Sequence, residues 1–272
     1  MVAPRAVRDA GDDEGDETKP ASHRIPQRRG NPRPGENATP AFPGTTLSQG
    51  WPLPMGTTMF THAGVTIRLH RNDLPDGLDL GRVVAIDTET MGLNPRRDRL
   101  CLVQLSSGDG TAHLVNLVPE SLGGQGYAAP NLRKLLADPA VTKLFHFARF
   151  DVAVLLHCLG VTAAPVVCTK VAAKLVRTFT DRHGLKDLCK ELLGVDLSKQ
   201  QQTSDWGAPD LAPEQLAYAA SDVLHLHALW AKLEGLLRRE GRLELAEACF
   251  RFLPARGKLD LLGYEDPDIF AH

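Results

Sequence analysis

The sequence lacks three features that would each place it in a specialised class of protein. No apolar run approaches the roughly 18 residues needed to cross a membrane, and the N-terminus has no apolar segment typical of a secretory signal. No two of the five cysteines form a Cys-x-x-Cys pair, and their odd number indicates free thiols in a reducing compartment. We therefore predict a cytoplasmic protein with no membrane partner, and we infer no protein partner.

An excess of positive charge is also missing. The chain has 31 Lys and Arg against 33 Asp and Glu, a net charge of −2. It therefore lacks the strongly basic balance of many nucleic-acid-binding proteins. Acids that hold cations would make the working protein more positive than this count, so the net charge does not exclude a nucleic-acid partner.

Composition divides the chain into three parts. Residues 1–54 are rich in Pro, Gly and polar residues and are predicted to form a disordered tail. Residues 55–237 have the apolar periodicity of a globular domain. Residues 238–272 are predicted to form a C-terminal helix and tail. The hydrophobic fraction of 43% is ample for a core.

Apolar runs predict a mixed sheet covered by helices. The predicted strands are GRVVAIDTE, RLCLVQLSS, TAHLVNLV, TKLFHF and PVVCT. Short links join the first three, which favours an antiparallel meander. THAGVTIRLH before them reads as a short strand or hairpin arm. Helical patterns include one long helix from PEQLAY to RREG and a last short one, RLELAEACFRFL. The expected fold class is α/β, a mixed five-stranded sheet flanked by helices.

Four acids in apolar surroundings are the candidate functional residues. Asp87 and Glu89 lie two apart on a predicted strand, so they share a face, and Asp151 begins a predicted helix. Asp222 follows Tyr218 by one helical turn. No Lys or Arg lies within four residues of Asp87 or Asp222. Buried carboxylates need a positive partner, and divalent metal ions would supply one.

Each of these signals is weak alone. A strand-end Asp-x-Glu that reaches solvent, an Asp that caps a helix, and a Tyr at the edge of a core are common without any function. Their combination, in this order within one domain-sized segment, is far more specific.

The three segments DTETMGL, HFARFD and YAASD resemble the motifs of the DEDD superfamily of 3′–5′ exonucleases, in the branch with a Tyr in the third motif. Residues 181–223 are similar to ribonuclease D. The resemblance implies a ribonuclease H-like fold, a short single-domain bacterial form, and an exonuclease domain at residues 55–237. Phe147 departs from the pattern, because the family often has a small polar residue after the His of the second motif.

The resemblance also implies the chemistry. Asp87, Glu89, Asp151 and Asp222 would hold two Mg²⁺ or Mn²⁺ ions, and Tyr218 would orient the attacking water; these five are the expected catalytic residues. The expected activity is a metal-dependent 3′–5′ exoribonuclease that removes nucleoside 5′-monophosphates from single-stranded RNA 3′ ends, with a role in processing tRNA or other structured RNA.

Contacts to the terminal nucleotide are expected from residues near the motifs: Thr90, Met91, Leu93, Gln104, His146 and Phe150. Ordinary packing is the alternative for the apolar ones among them. A basic segment at residues 170–199 would follow the phosphate backbone or form a solvated helix face. Two other functions stay open: a 3′–5′ exodeoxyribonuclease, and an inactive RNA-binding relative. The second is disfavoured because no acid is missing.

Overall fold

The computed structural model describes residues 56–62, 64–198, 200–201, 203–208 and 210–271. The predicted disordered tail at residues 1–54 lies outside this part of the chain. Within it, no helix is long and apolar enough to cross a membrane.

Seven strands form one mixed sheet. They are β1 (Thr57–His62), β2 (Val65–Arg71), β3 (Val83–Thr90), β4 (Leu100–Ser106), β5 (Thr111–Asn116), β6 (Thr142–Phe145) and β7 (Val166–Cys168). Their order is β1-β2-β5-β4-β3-β6-β7. The strands β3, β4 and β5 form the predicted antiparallel meander, while β6 and β7 run parallel to β3. The mixed sheet confirms the predicted α/β fold.

The sheet is wider than the five strands expected. The strands β3 to β7 are the five predicted ones, and a hairpin of β1 and β2 extends them at the β5 edge. The strand β2 pairs in parallel with β5, from Thr66 opposite Thr111 to Arg71 opposite Asn116. This pairing joins segments far apart in the chain, so the local pattern could not reveal it.

Seven helices flank the sheet in the described residues. They are α1 (Pro130–Ala137), α2 (Ala148–Leu159), α3 (Thr169–Val176), α4 (Leu185–Leu188), α5 (Pro213–Leu224), α6 (Leu226–Arg239) and α7 (Leu243–Leu261). A wider helical turn at Cys189–Leu193 continues α4, and Gly194 ends it with a φ of 72°. Because a positive φ is easy only for glycine, this residue closes the helix as its sequence predicts.

Two helical predictions need correction. The single long helix expected after Pro213 is divided at His225 into α5 and α6. The halves pack on different partners: α5 on β3, β4 and β5, and α6 on α3. His227 also contacts the Val83 carbonyl at 3.0 Å. The last helix, predicted to end before Pro254, continues through it to Leu261. Packing against α2 outweighs the hydrogen bond that this proline cannot donate.

Candidate active site

The central strand β3 presents the first two acids at its C-terminal end. β4 pairs with it on one side and β6 on the other, so its position is fixed from both directions. Asp87 and Glu89 lie two residues apart and share a face of the sheet. The register with β4 shifts between Glu89 and Thr90, a bulge that bends the strand where it leaves the sheet.

Helix α5 brings Tyr218 and Asp222 over this end of β3. Ala219 and Ala220 are buried on the helix, and these small side chains let it lie close to the strands. Residues four apart on a helix share a face, so Tyr218 and Asp222 point together into the same cleft.

Three carboxylates meet there. One oxygen from each of Asp87, Glu89 and Asp222 lies within 4.8 Å of the other two. Burial raises the pKa of Asp87 to about 7, and burial together with the charges of Asp87, Asp222 and Asp151 raises the pKa of Glu89 to about 10. Burial and the charge of Asp87 also raise the pKa of Asp222 well above its usual range. Like charges held this close repel one another, and a cation bound between them would relieve that repulsion.

Asp151 lies beside the cluster but outside the set of three. Its side chain is 3% exposed, and its Oδ1 accepts a hydrogen bond from Thr88 Oγ1 at 2.7 Å. Burial, followed by the charge of Asp87, raises its pKa well above the usual value. It stands in the first turn of α2, as predicted, and lines the same cleft. Its role as a metal ligand stays a prediction.

Tyr218 packs near a buried aromatic side chain. Its ring lies 6.1 Å from that of buried Trp206, at an interplanar angle of 36°. Gln215, in the first turn of α5, donates to the Asp205 carbonyl at 3.2 Å and accepts from the Ala212 amide at 2.9 Å. Residues 204–206 therefore brace α5. Burial and then the charge of Asp222 raise the pKa of Tyr218, so its phenol stays protonated at neutral pH.

The loop after β3, residues 91–98, forms one wall of the cleft. Met91 is 60% exposed and Leu93 88% exposed, and both line it. The loop is ordered by Asp98, whose carboxylate accepts from the Asn94 amide at 2.9 Å. A Cβ atom on Gly92 would collide with the same carboxylate. The two apolar side chains are therefore presented on a fixed loop.

The cleft is also lined by residues whose contacts the sequence did not reveal. Phe147 is 45% exposed with a φ of 73°, and Lys170 Nζ lies 4.2 Å from its ring centroid. Lys186 also lines the cleft. Both lysines belong to the basic segment at 170–199, but sequence alone could not tell which of its members face the cleft. Phe147 was noted only as a departure from the family pattern.

Of the predicted substrate contacts, Thr90, His146 and Phe150 also line the cleft. Nδ1 of His146 lies 2.8 Å from Thr169 Oγ1, and burial lowers the pKa of this His to about 3. Gln104 requires a correction: it is fully buried and does not line the cleft. Every residue of β4 is buried, so no side chain of this strand reaches a terminal sugar.

The donors present fit a divalent metal. They are carboxylate oxygens, which hard cations such as Mg²⁺ prefer, and they converge where no Lys or Arg pairs with them among the described ion pairs. The raised pKa values have the same origin, namely buried negative charges without a counter-charge.

Comparison with known proteins agrees with this geometry. The sequence model of a 3′–5′ exonuclease family matches residues 71–238, more than half of the chain. The chain belongs to this 3′–5′ exonuclease family. The matched range includes the strand β3 and the helices α2 and α5, which together carry the four acids.

The chain is also similar to individual proteins known by sequence and by structure. Ribonuclease D of Gluconacetobacter diazotrophicus is 37% identical over 200 residues, covering 73% of this chain and 47% of the relative. The chain thus spans about half the length of the curated relatives it matches. NrnC of Brucella melitensis bound to pGG is 59% identical, with a TM-score of 0.72 over 76% of this chain and 99% of that one. The same protein with bound Mg²⁺ is 58% identical, with a TM-score of 0.70 over 76% and 98%.

Proposed function

We propose that this protein is a metal-dependent 3′–5′ exoribonuclease that releases nucleoside 5′-monophosphates from single-stranded RNA. The observation that carries the proposal is the convergence of Asp87, Glu89 and Asp222 within 4.8 Å, with Asp151 beside them in the same cleft. Membership of the 3′–5′ exonuclease family and the similarity to ribonuclease D support it.

The four acids would hold two divalent ions, Mg²⁺ or Mn²⁺. NrnC has been seen with Mg²⁺, which favours this metal. Bound there, the ions would supply the Lewis acidity that phosphodiester hydrolysis requires at the attacking and the leaving oxygen. Burial and the charge of Asp222 raise the pKa of Tyr218, which favours orientation of the attacking water by a hydrogen bond over removal of its proton.

The walls of the cleft would hold the 3′-terminal nucleotides. Met91 and Leu93 offer an exposed apolar edge on an ordered loop, against which a base can pack. Phe150 and Phe147 line the same cleft and offer aromatic faces for stacking. Lys170 and Lys186 bring positive charge to the same space, which suits the phosphates of the strand.

The size of the cleft favours a short stretch of single-stranded RNA. The cleft has a volume of about 640 Å³, within the range of sites that bury a small organic ligand. NrnC carries pGG, a strand of two nucleotides. We infer that the cleft binds the last one or two nucleotides of the RNA, and that a short oligoribonucleotide is enough to occupy it completely.

Labelled oligonucleotides test the proposal. Linear RNA labelled at its 5′ end should shorten stepwise from the 3′ end with Mg²⁺, release nucleoside 5′-monophosphates, and stay intact with EDTA. A DNA strand of the same sequence tests discrimination by the sugar. A circular RNA of the same sequence should resist, because it has no end.

The matched control is Asp222→Asn, which keeps the size of the side chain and removes a charge. It should fold like the wild type by circular dichroism and leave the linear RNA uncut. Cleavage of circular RNA, shortening from the 5′ end, or full activity in EDTA would each contradict the proposal. Equal cleavage of DNA would overturn the assignment to RNA alone.

A further inference from the structure

The C-terminal helix α7 lies beyond the family match at residues 71–238 and packs against α2, the helix that carries Asp151. The two helices are in close contact at Gly257. A Cβ atom there would lie 3.2 Å from the Ala153 amide nitrogen and 3.3 Å from a methyl carbon of Val152. The backbone of α7 therefore rests on the residues that directly follow the second-motif acid.

An ion-pair network fixes this contact. Arg149, two residues before Asp151, donates to both carboxylate oxygens of Asp260 at 2.7 and 2.8 Å. Asp260 is 5% exposed and also pairs with Arg256 at 3.1 Å, and Arg256 pairs in turn with Asp268 at 3.1 Å. A guanidinium held by two parallel hydrogen bonds has little freedom to rotate, so the first turn of α2 is tied to α7 in one orientation.

The segment after α7 contacts the loop 91–98. Glu265 pairs with Arg96 at 3.5 Å, and its carbonyl accepts from Arg149 at 3.4 Å. A Cβ atom on Gly263 would lie 3.4 Å from the same Arg96 guanidinium. Arg96 belongs to the loop 91–98, which carries Met91 and Leu93. One short C-terminal segment thus contacts both the second-motif helix and the apolar loop.

We propose that α7 and residues 262–268 form a clamp that positions Asp151 and the loop 91–98 for the reaction, with Arg149 and Glu265 as positioning residues. The inference rests on the proposed function, because it assigns a purpose to the placement of a metal-site acid. It goes beyond that function, because none of the clamp residues touches the metal site or the substrate. Small displacements of such ligands have large effects on metal binding and rate.

Arg149→Gln tests the contact of the clamp with α2, which is the first arm of the clamp. This variant removes the tie to α2 but leaves Asp260 paired with Arg256, so no buried charge is orphaned. The affinity for Mg²⁺, measured by titration calorimetry, should fall about tenfold, the lower end for residues that support metal ligands. The kcat for RNA should fall at limiting Mg²⁺ and recover at high Mg²⁺. Arg149→Lys should recover part of both.

Arg251→Gln is the matched control, since it removes one positive charge from an exposed position of α7. It should leave the Mg²⁺ affinity and kcat unchanged. A folded Arg149→Gln protein with wild-type Mg²⁺ affinity would overturn the first arm. The calorimetric measurement needs no RNA, so it decides the clamp even if the wild type proves not to cleave RNA, which would refute the proposed function instead.

Glu265→Gln tests the contact of the clamp with the loop 91–98, which is the second arm of the clamp. It should raise the KM for RNA several-fold and leave the Mg²⁺ affinity as in the wild type, because it loosens only the loop. An unchanged KM would overturn this arm. Gly257→Ala provides an independent check: its added methyl group pushes α7 from α2 and should reproduce the loss of Mg²⁺ affinity without any change of charge.

Discussion

Replacing Asp87 by Asn should stabilise the metal-free protein while it destroys the metal site. Burial without a counter-charge raises the pKa of Asp87 to about 7, from a usual value of 3.8. At about 1.4 kcal/mol for each pH unit, this difference amounts to a penalty of up to about 4 kcal/mol at neutral pH. Coupling among the acids and partial access of water reduce it, so we expect about 1–4 kcal/mol.

The sign follows from linkage. A carboxyl group whose folded pKa is raised destabilises the fold above that pKa, and the penalty disappears as the pH falls below the unfolded value of 3.8. At pH 8 the penalty is complete. Asn cannot ionise, so in EDTA at pH 8 the Asp87→Asn protein should unfold about 2–16 °C above the wild type, at about 2–4 °C for each kcal/mol.

Saturating Mg²⁺ should narrow or reverse this difference in stability. At a concentration 100 times its Kd, a ligand that binds only the folded state adds about 2.7 kcal/mol, or about 5–10 °C here. The wild type should gain this shift and the variant should gain little.

Thermal unfolding followed by circular dichroism, with EDTA and then with Mg²⁺, measures both effects. Glu247→Gln, an exposed change on α7, is the control and should shift neither curve. A variant less stable than the wild type in EDTA would refute the electrostatic reasoning.

Three further predictions concern other parts of the molecule. Tyr218→Phe should lower kcat roughly 100-fold while RNA affinity, measured by fluorescence anisotropy in Ca²⁺, changes little; full turnover would remove the tyrosine from the mechanism. Gly92→Ala should displace the Asp98 carboxylate and raise KM several-fold with unchanged Mg²⁺ affinity; an unchanged KM would show that the loop does not bind substrate. Burial lowers the pKa of His70 and of His113 to about 4. Both side chains therefore favour the folded state fully above pH 6.5, and the free energy of unfolding should decrease as the pH falls from 6.5 towards 4. At pH 5 the loss should be about 2 kcal/mol for each His. Urea unfolding in Mg²⁺ at several pH values measures how the free energy of unfolding changes with pH. His113→Gln should reduce this pH dependence, and an unchanged dependence would contradict the assignment to the two histidines.

Local patterns accounted for the parts of the fold that depend on local interactions. The meander from β3 to β5 and the helix α2, which ends at Gly160 with a φ of 64°, follow from apolar runs, short links and a glycine with a left-handed backbone. The pairing of β2 with β5, the break at His225 and the passage of α7 through Pro254 depend on partners distant in the chain. No sequence pattern reports such partners.

The candidate site shows the same division. Asp87, Glu89, Tyr218 and Asp222 were predicted from motif order and shared faces, and the structure brings them into one cleft. Gln104 was misplaced because alternation along β4 does not reveal that both of its faces are covered. The contact of Lys170 with Phe147 joins a residue in an unusual backbone conformation to one on another helix, and only the folded chain shows it.

The separation of Glu89 on β3 from Asp222 on α5 has a consequence during synthesis. A ribosome must translate every strand of the sheet and the whole of the cleft wall before the last of these carboxylates emerges. No shorter nascent chain holds all three carboxylates, so the site is assembled only after α5 has been synthesised.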